Sequence, residues 1–119
     1  MDVRLTPLER AAIAAILAER PGFEDAIAAQ LNSLTKLERE NSGGGFYVYF
    51  EVAKEAKTVG CASPLGKQTS ANVEGLKHGL GLMLWFKNGR VDALEGFSFG
   101  EDTTDINLAT ARFEMVTAP

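Results

Sequence analysis

Few residues of this chain have the types and the spacing that enzyme chemistry requires. A catalytic nucleophile needs a neighbouring base, and His78 is the only histidine, in the turn-like segment Lys77-His78-Gly79. Cys61, the only cysteine, has Lys57 and Lys67 nearby in the sequence, but no pattern brings either ammonium group next to the thiol. The sequence therefore predicts no catalytic residue, and we interpret His78 as an exposed turn residue.

Metal and cofactor sites are not indicated either. One cysteine and one histidine cannot supply the four ligands of a usual Cys/His zinc site, and a single cysteine cannot form an intramolecular disulfide. The glycine run 43–45 is followed neither by a helix nor by the Lys-Ser/Thr pair of a phosphate-binding loop, so it is typical of a turn. We expect a protein without a metal or a cofactor.

Glu95 is the acid whose predicted position needs an explanation. Asn88-Gly89 between two strand-like runs predicts a two-residue type I′ hairpin, in which the numbers of paired residues sum to 177. This register places Glu95 on the same sheet face as Leu82, where an unpaired charge is costly. The alternatives are a β-bulge next to Gly96, a buried carboxylate bonded to the backbone or to Arg39, or an acid–base role.

Two helices are predicted at the N-terminus. Thr6 and Glu9 have the spacing of a capping box, and apolar residues follow at intervals of three and four. Pro21-Gly22 ends this run, and residues 23–34 repeat the same spacing. The pair is expected to form a helical hairpin over about residues 5–34.

The remaining chain, about residues 35–117, is predicted to be rich in strands. Alternating apolar residues indicate strands in four segments, of which the last is expected at a sheet edge, and residues 54–70 read as a loop. Thr35–Glu40 fits either the tail of a helix or a short strand. The four segments are Phe46–Val52, Ala71–Leu76, the hairpin Leu80–Glu95 with its two strands, and Arg112–Thr117.

An α+β fold follows, with the helical hairpin packed on one face of an antiparallel sheet of four or five strands, in a single domain over residues 1–119. The opposite face is then either a binding surface or covered by the loop 54–70 or the C-terminal segment, since aromatic residues and Met are enriched in interface cores. That opposite face is expected to carry Tyr47, Tyr49, Met83, Trp85 and Leu94.

Charge indicates the kind of partner. The net charge of −4 argues against a sequence-independent nucleic-acid binder, and no apolar run is long enough to cross a membrane. Between Arg90 and Arg112 every charged residue is acidic, which is typical of a solvated loop or of a docking surface for a basic protein. Phe97 and Phe99 could then supply apolar anchors next to Trp85. The acids are Asp92, Glu95, Glu101, Asp102 and Asp105.

Several segments carry a resemblance to a known family. Residues 45–52 and 87–97 look like a family of small, largely uncharacterised bacterial domains, in which a helical N-terminus precedes a strand-rich half; the likeness spans about residues 5–100. Small acidic proteins of this kind also resemble immunity proteins of contact-dependent growth inhibition and related polymorphic toxin systems. The matching residues of the second segment and just beyond it are Asn88, Gly89, Arg90, Leu94, Glu95, Gly96, Phe97 and Phe99.

The resemblance implies a cytoplasmic inhibitor that binds one cognate basic toxin domain, such as a nuclease, and blocks its active site without catalysis. Two other functions fit the same residues: a small enzyme or ligand-binding domain with a pocket at Glu95 and Tyr49, and a homodimeric scaffold protein that uses the aromatic face. The residues assigned to partner binding are Tyr47, Tyr49, Trp85, Asp92, Glu95, Phe97, Phe99, Glu101, Asp102 and Asp105.

Overall fold

The computed structural model describes residues 5–116 and has two N-terminal helices and six strands. All neighbouring strands are antiparallel, in the order β1-β2-β5-β4-β3-β6. The α+β class is confirmed, but the sheet has six strands instead of four or five. The elements are α1 (Pro7–Ala18), α2 (Glu24–Leu31), β1 (Leu34–Asn41), β2 (Gly45–Val52), β3 (Ser70–Val73), β4 (Leu80–Lys87), β5 (Arg90–Ser98) and β6 (Phe113–Val116).

The start of α1 is fixed by the predicted capping box. The backbone N–H of Glu9 donates to Oγ1 of Thr6 at 3.2 Å, and the backbone N–H of Thr6 donates to Oε1 of Glu9 at 2.9 Å. The nearly buried Glu9 carboxylate also accepts from Nε and Nη2 of Arg39 in β1, at 2.7 and 2.9 Å. One side chain therefore caps the helix and ties it to the sheet.

The helical hairpin differs from the prediction in its second half. The second helix ends at Leu31, and Leu34 is already the first residue of β1. The ambiguous segment Thr35–Glu40 is a strand because it pairs with β2 along its length, an interaction that local spacing does not report. The first helix contacts β4 and β6, whereas the second contacts β5.

Both helices pack on one side of the sheet, which we call the inner face; the opposite side is the outer face. Because directly paired residues of antiparallel strands point to the same side, the register assigns each side chain to a face. The predicted core face is confirmed, and Phe86 lies partly buried at its margin. The buried inner-face residues include Phe46, Val48, Phe50, Leu80, Leu82, Leu84 and Leu94.

The turn between β4 and β5 is the predicted two-residue hairpin. Asn88 and Gly89 have φ angles of 53° and 77°, the left-handed values that a type I′ turn requires. Lys87 pairs with Arg90 and Phe86 with Val91, so the predicted register holds for these two pairs. The turn assignment is therefore confirmed.

Beyond these pairs the predicted register is wrong. Trp85 pairs with Ala93, which leaves Asp92 as an extra residue of β5, and every later pair is shifted by one. One alternative for Glu95 is a bulge next to Gly96; the bulge in fact lies four residues earlier, at Asp92. Its physical reason is burial: the shift turns Leu94, expected on the outer face, into the core and turns Glu95 out of it.

Gln30 of α2 holds the turn end of this hairpin. Its Nε2 donates to the carbonyls of Lys57 and Gly89, at 2.9 and 3.0 Å, and its Oε1 accepts from the backbone N–H of Val91 at 2.9 Å. Val91 precedes the part of β5 that pairs with β2, so its N–H needs this side-chain acceptor. The buried glutamine thus satisfies three backbone groups.

Replacing Gly89 by Val should lower the free energy of unfolding by about 2 kcal/mol, because a β-branched residue resists a positive φ. An added Cβ would also lie 2.7 Å from Cβ of Thr58. Urea denaturation measures the loss. Gly60→Val is the matched control, since a Cβ at Gly60 meets nothing within 4 Å. Equal stability of the two variants would contradict the turn assignment.

Replacing Gln30 by Leu should lower the free energy of unfolding by about 2 kcal/mol, although leucine is the more apolar residue, because the buried N–H of Val91 and the part-buried carbonyl of Lys57 lose their partner. The Gly89 carbonyl keeps its bond from the Val59 N–H. Gln68→Leu, at an exposed position, serves as the control and should change stability by less than about 0.5 kcal/mol. A Gln30→Leu protein as stable as the wild type would show that water or a shifted backbone satisfies these groups.

Candidate docking surface

The outer face of the sheet is open where the sequence predicted an aromatic surface. Tyr49 is 42% exposed and Trp85 is 37% exposed, so neither the loop 54–70 nor the C-terminal segment as far as Val116 covers them. Met83 and Tyr47, in the neighbouring row of paired residues, are half-buried. For β1, β2, β4 and β5 the outer-face side chains assigned by the register are Lys36, Glu38, Glu40, Tyr47, Tyr49, Glu51, Met83, Trp85, Lys87, Arg90, Ala93, Glu95 and Phe97.

Glu95 lies at the centre of this face and is held by two aromatic side chains. The indole Nε1 of Trp85 donates to Oε1 of Glu95 at 2.9 Å, and the hydroxyl of Tyr47 donates to Oε2 at 3.1 Å. The hydrogen bond and the negative charge of this carboxylate raise the pKa of the Tyr47 hydroxyl. The alternative of a bond to Arg39 is wrong, because Arg39 reaches Glu9 on the inner side.

The two tyrosines of β2 extend the surface towards β1. Their rings stack with centroids 5.7 Å apart and planes 8° from parallel. The hydroxyl of Tyr49 donates to Oε1 of Glu40 at 3.4 Å, and its pKa is raised by partial burial and by the Glu40 carboxylate. The rings are therefore fixed relative to two carboxylates rather than free to rotate into solvent.

Phe97 and Phe99 form the other side of the surface. Their rings meet edge to face, with centroids 5.6 Å apart, and Phe99 is 54% exposed. The Phe97 ring covers Gly81 of β4, where an added Cβ would lie 2.2 Å from the ring. A groove of about 350 Å³ runs beside them, lined by Lys67, Met83 and other residues. This glycine therefore lets an aromatic ring lie flat on the sheet.

The predicted acidic stretch does not form one patch. Asp92 lies at the bulge, whereas Glu101 follows the far end of β5, and the six residue steps from Asp92 to Ser98 alone span about 20 Å. The carboxylate of Glu101 accepts from the backbone N–H groups of Lys77 and His78, both at 2.8 Å. The stretch is thus divided between the outer face and the loop after β5.

Asp102 and Asp105 also lie in that loop. Oδ1 of Asp102 accepts from the backbone N–H and the hydroxyl of Thr104, at 2.8 and 2.5 Å, which lowers the pKa of Asp102. Asp105 is exposed. Of the ten residues expected to bind a partner, the structure brings five together on the outer face, places two beside them and leaves three in the loop. These three are Glu101, Asp102 and Asp105.

Three outer-face acids are not among the residues that the sequence analysis assigned to partner binding. Glu38 and Glu40 of β1 pair with Tyr49 and Tyr47, and Glu51 ends the outer row of β2. The alternation of charged residues in β1 is the signal that would have found the first two, had the segment been assigned as a strand. They add negative charge to the aromatic surface, offset in part by the Lys36–Glu38 ion pair at 3.1 Å.

The side chains that could act as a nucleophile or bind a metal lie outside the outer face. Burial raises the pKa of the Cys61 thiol, which disfavours the reactive thiolate, and His78 is exposed beside Glu101. Within residues 5–116, no three His, Cys, Asp or Glu side chains are grouped to hold a metal ion. A cavity of about 260 Å³ lies near the Glu9–Arg39 pair, and neither Tyr49 nor Glu95 lines it.

Comparisons with known proteins add no assignment: no family model, no curated protein and no solved structure matches the chain. Neither described helix is long and apolar enough to cross a bilayer. The function must therefore be argued from the geometry of the outer face.

The bonds to Glu101 predict a pH dependence of stability. Two backbone N–H donors hold the pKa of Glu101 below its ordinary value near 4.5. Because this pKa is lowered by folding, its contribution is complete above about pH 4.5 and is lost as the pH falls through the folded value. Glu101→Gln should therefore lower Tm at pH 7, and the difference from the wild type should shrink towards pH 3.

Thermal denaturation at several pH values tests this expectation, with Asp105→Asn, an exposed acid of the same loop, as the control. A difference between wild type and Glu101→Gln that is the same at pH 7 and pH 3 would show that the carboxylate charge does not hold the loop.

Proposed function

We propose that this protein is a cytoplasmic bacterial immunity protein of the contact-dependent growth inhibition or polymorphic toxin type. It binds a cognate basic toxin domain, a nuclease in this proposal, and blocks its active site without catalysing a reaction. The observation that carries the proposal is the open outer face, where aromatic side chains and carboxylates lie together on a rigid sheet.

The size and composition of this face support a protein partner. The molecule is flat, with extents of 41 × 36 × 19 Å, so a broad side is large enough for the roughly 800 Å² that one partner buries in a standard interface. Tyr, Trp and Met are the side chains enriched in interface cores, and Trp and Tyr are frequent binding hot spots. Trp85, Met83 and the two tyrosines therefore have the composition of a central anchor.

The charge of the face supports a basic partner. Glu38, Glu40, Glu51 and Glu95 lie on the outer face, and Asp92 is exposed at the bulge beside it, whereas the cations that the register assigns to this face are Lys36 and, at the turn end, Lys87 and Arg90. Complementary charge accelerates association, whereas buried anchors slow dissociation. Glu101 and Asp102, which hold their own loop, are expected to contribute little to docking.

A protection assay in cells tests the function. The C-terminal domain of a large secreted protein encoded beside this chain is expressed with and without it. The wild-type protein should restore growth, and so should Cys61→Ser and His78→Ala, because neither group does chemistry. Trp85→Ala should lose protection while remaining folded. The absence of such a neighbouring gene, or loss of protection in Cys61→Ser or His78→Ala with the fold intact, would contradict the proposal.

Binding kinetics at two salt concentrations locate the surface. Glu51→Lys with Asp92→Lys should slow association with the toxin domain several-fold and weaken its dependence on salt. Glu55→Lys with Glu74→Lys, at exposed turn positions after the ends of β2 and β3, is the matched control. Trp85→Ala should speed dissociation by about 30-fold, equivalent to 2 kcal/mol. Equal association rates of the two charge-reversed variants would place the docking surface elsewhere.

A homodimer would give a different result. A scaffold protein that pairs its outer faces would elute as a dimer that Trp85→Ala converts to a monomer, with no binding of the toxin domain. Either that result, or protection that survives Trp85→Ala and the charge reversals, would contradict the proposed use of this face.

A further inference from the structure

The Glu95 carboxylate can accept more hydrogen bonds than the chain itself supplies. It is half-buried in the middle of an exposed sheet face, where its two oxygens accept from neutral donors, Trp85 and Tyr47. A carboxylate offers about four acceptor positions, so half of them are still open. Among residues 5–116, no lysine or arginine forms an ion pair with Glu95; the two ion pairs there are Lys36–Glu38 and Arg39–Glu9.

Aromatic rings flank the space above this carboxylate. Ala93 lies between Tyr49 and Trp85 in the register, since it pairs with both. One face of the Tyr49 ring stacks on Tyr47, so the other face of Tyr49 and the exposed part of the Trp85 ring are what a ligand can contact. Ala93 itself is only 7% exposed, so its neighbours already cover the methyl group, and a ligand lies on the exposed parts of the two rings instead of reaching the sheet between them.

We propose that Glu95, with the rings of Tyr49 and Trp85, is the subsite for an arginine side chain of the basic partner; this inference rests on the proposed function. A guanidinium group is planar, is weakly hydrated and stacks on aromatic faces while its N–H groups bond a carboxylate. A lysine ammonium group is more strongly hydrated and gains less from the rings. Asp92, exposed next to Ala93 at the bulge, adds a second negative charge on the side of Ala93 away from Glu95.

The hydrogen bonds from Trp85 and Tyr47 also hold the Glu95 carboxylate in a fixed orientation. They fix the carboxylate before a ligand arrives, so less side-chain entropy is lost on binding. Tyr47 and Trp85 are thus positioning residues for Glu95, while the Trp85 ring also contacts the ligand.

The test uses the fluorescence of Trp85, which is the only tryptophan of the chain. The intact protein is titrated with acetylated tri-arginine amide and, separately, with the tri-lysine peptide. We expect the arginine peptide to change the emission of Trp85 and to bind at least about three times more tightly than the lysine peptide. Equal affinities, or emission unchanged by the arginine peptide, would overturn the proposal.

Two variants locate the binding. Glu95→Gln preserves the shape and can still bond Trp85 and Tyr47, but removes the charge; it should raise Kd for the arginine peptide about fivefold. Tyr49→Leu, which keeps bulk and removes the aromatic face, should raise Kd about threefold. Glu74→Gln, an exposed acid after β3, is the control and should leave Kd unchanged. Equal effects of Glu95→Gln and Glu74→Gln would overturn the proposal.

Failure of this inference differs from failure of the proposed function. If the toxin domain binds with the kinetics expected above while the arginine peptide leaves Trp85 emission unchanged, the subsite is wrong and the function stands. If the arginine peptide binds as expected and no toxin domain is bound, the subsite stands and the partner belongs to another class of basic protein.

Discussion

The one-residue bulge at Asp92 decides what each face of the sheet presents. Without it, strict alternation from the turn would bury Glu95 beside Leu82 and leave Leu94 in solvent. Burying a leucine contributes about 1.5–3 kcal/mol, and an unpaired buried carboxylate costs more than that. A local break in the ladder is the smaller cost. Both the closed core and the Glu95 network of the outer face follow from this shift of register.

The bulge lies beside a polar anchor that links the sheet to the helices. Gln30 bonds the Gly89 carbonyl of the turn and the Val91 N–H next to the bulge. An apolar side chain at this position would fill the space but leave the buried Val91 N–H unsatisfied. The placement of α2 on β5 therefore depends on hydrogen bonds as well as on apolar burial, and the hairpin, the loop at Lys57 and the second helix are held as a unit.

Local signals in the sequence were sufficient for features that local chemistry determines. The capping box of Thr6 and Glu9, the Asn88-Gly89 turn and the alternation of β2 were all predicted and are all present. The position of the bulge was not, because it depends on the burial of residues further along β5, which the turn does not encode.

The candidate site was likewise predicted only where local patterns of the sequence determine it. Trp85 and the tyrosines were placed on an exposed face by simple alternation, whereas the acids were grouped by their nearness in sequence. Residues that are close in the sequence lie far apart along an extended strand, so the acids of β5 are distant from those of the following loop. The acids that join the aromatic rings come instead from β1, through pairing that no short pattern of the sequence reports.

Charge also decides which of two occupants fits the outer face. A second copy of the chain would bring the same carboxylates opposite each other around a twofold axis, since a symmetric dimer uses one patch twice. Acids outnumber cations on this face, and the whole chain has a net charge of −4, so self-association would place like charges in a desolvated contact. A basic partner meets the same carboxylates with the opposite sign. The aromatic rings would favour either occupant, and the fixed Glu95 carboxylate favours only the basic one.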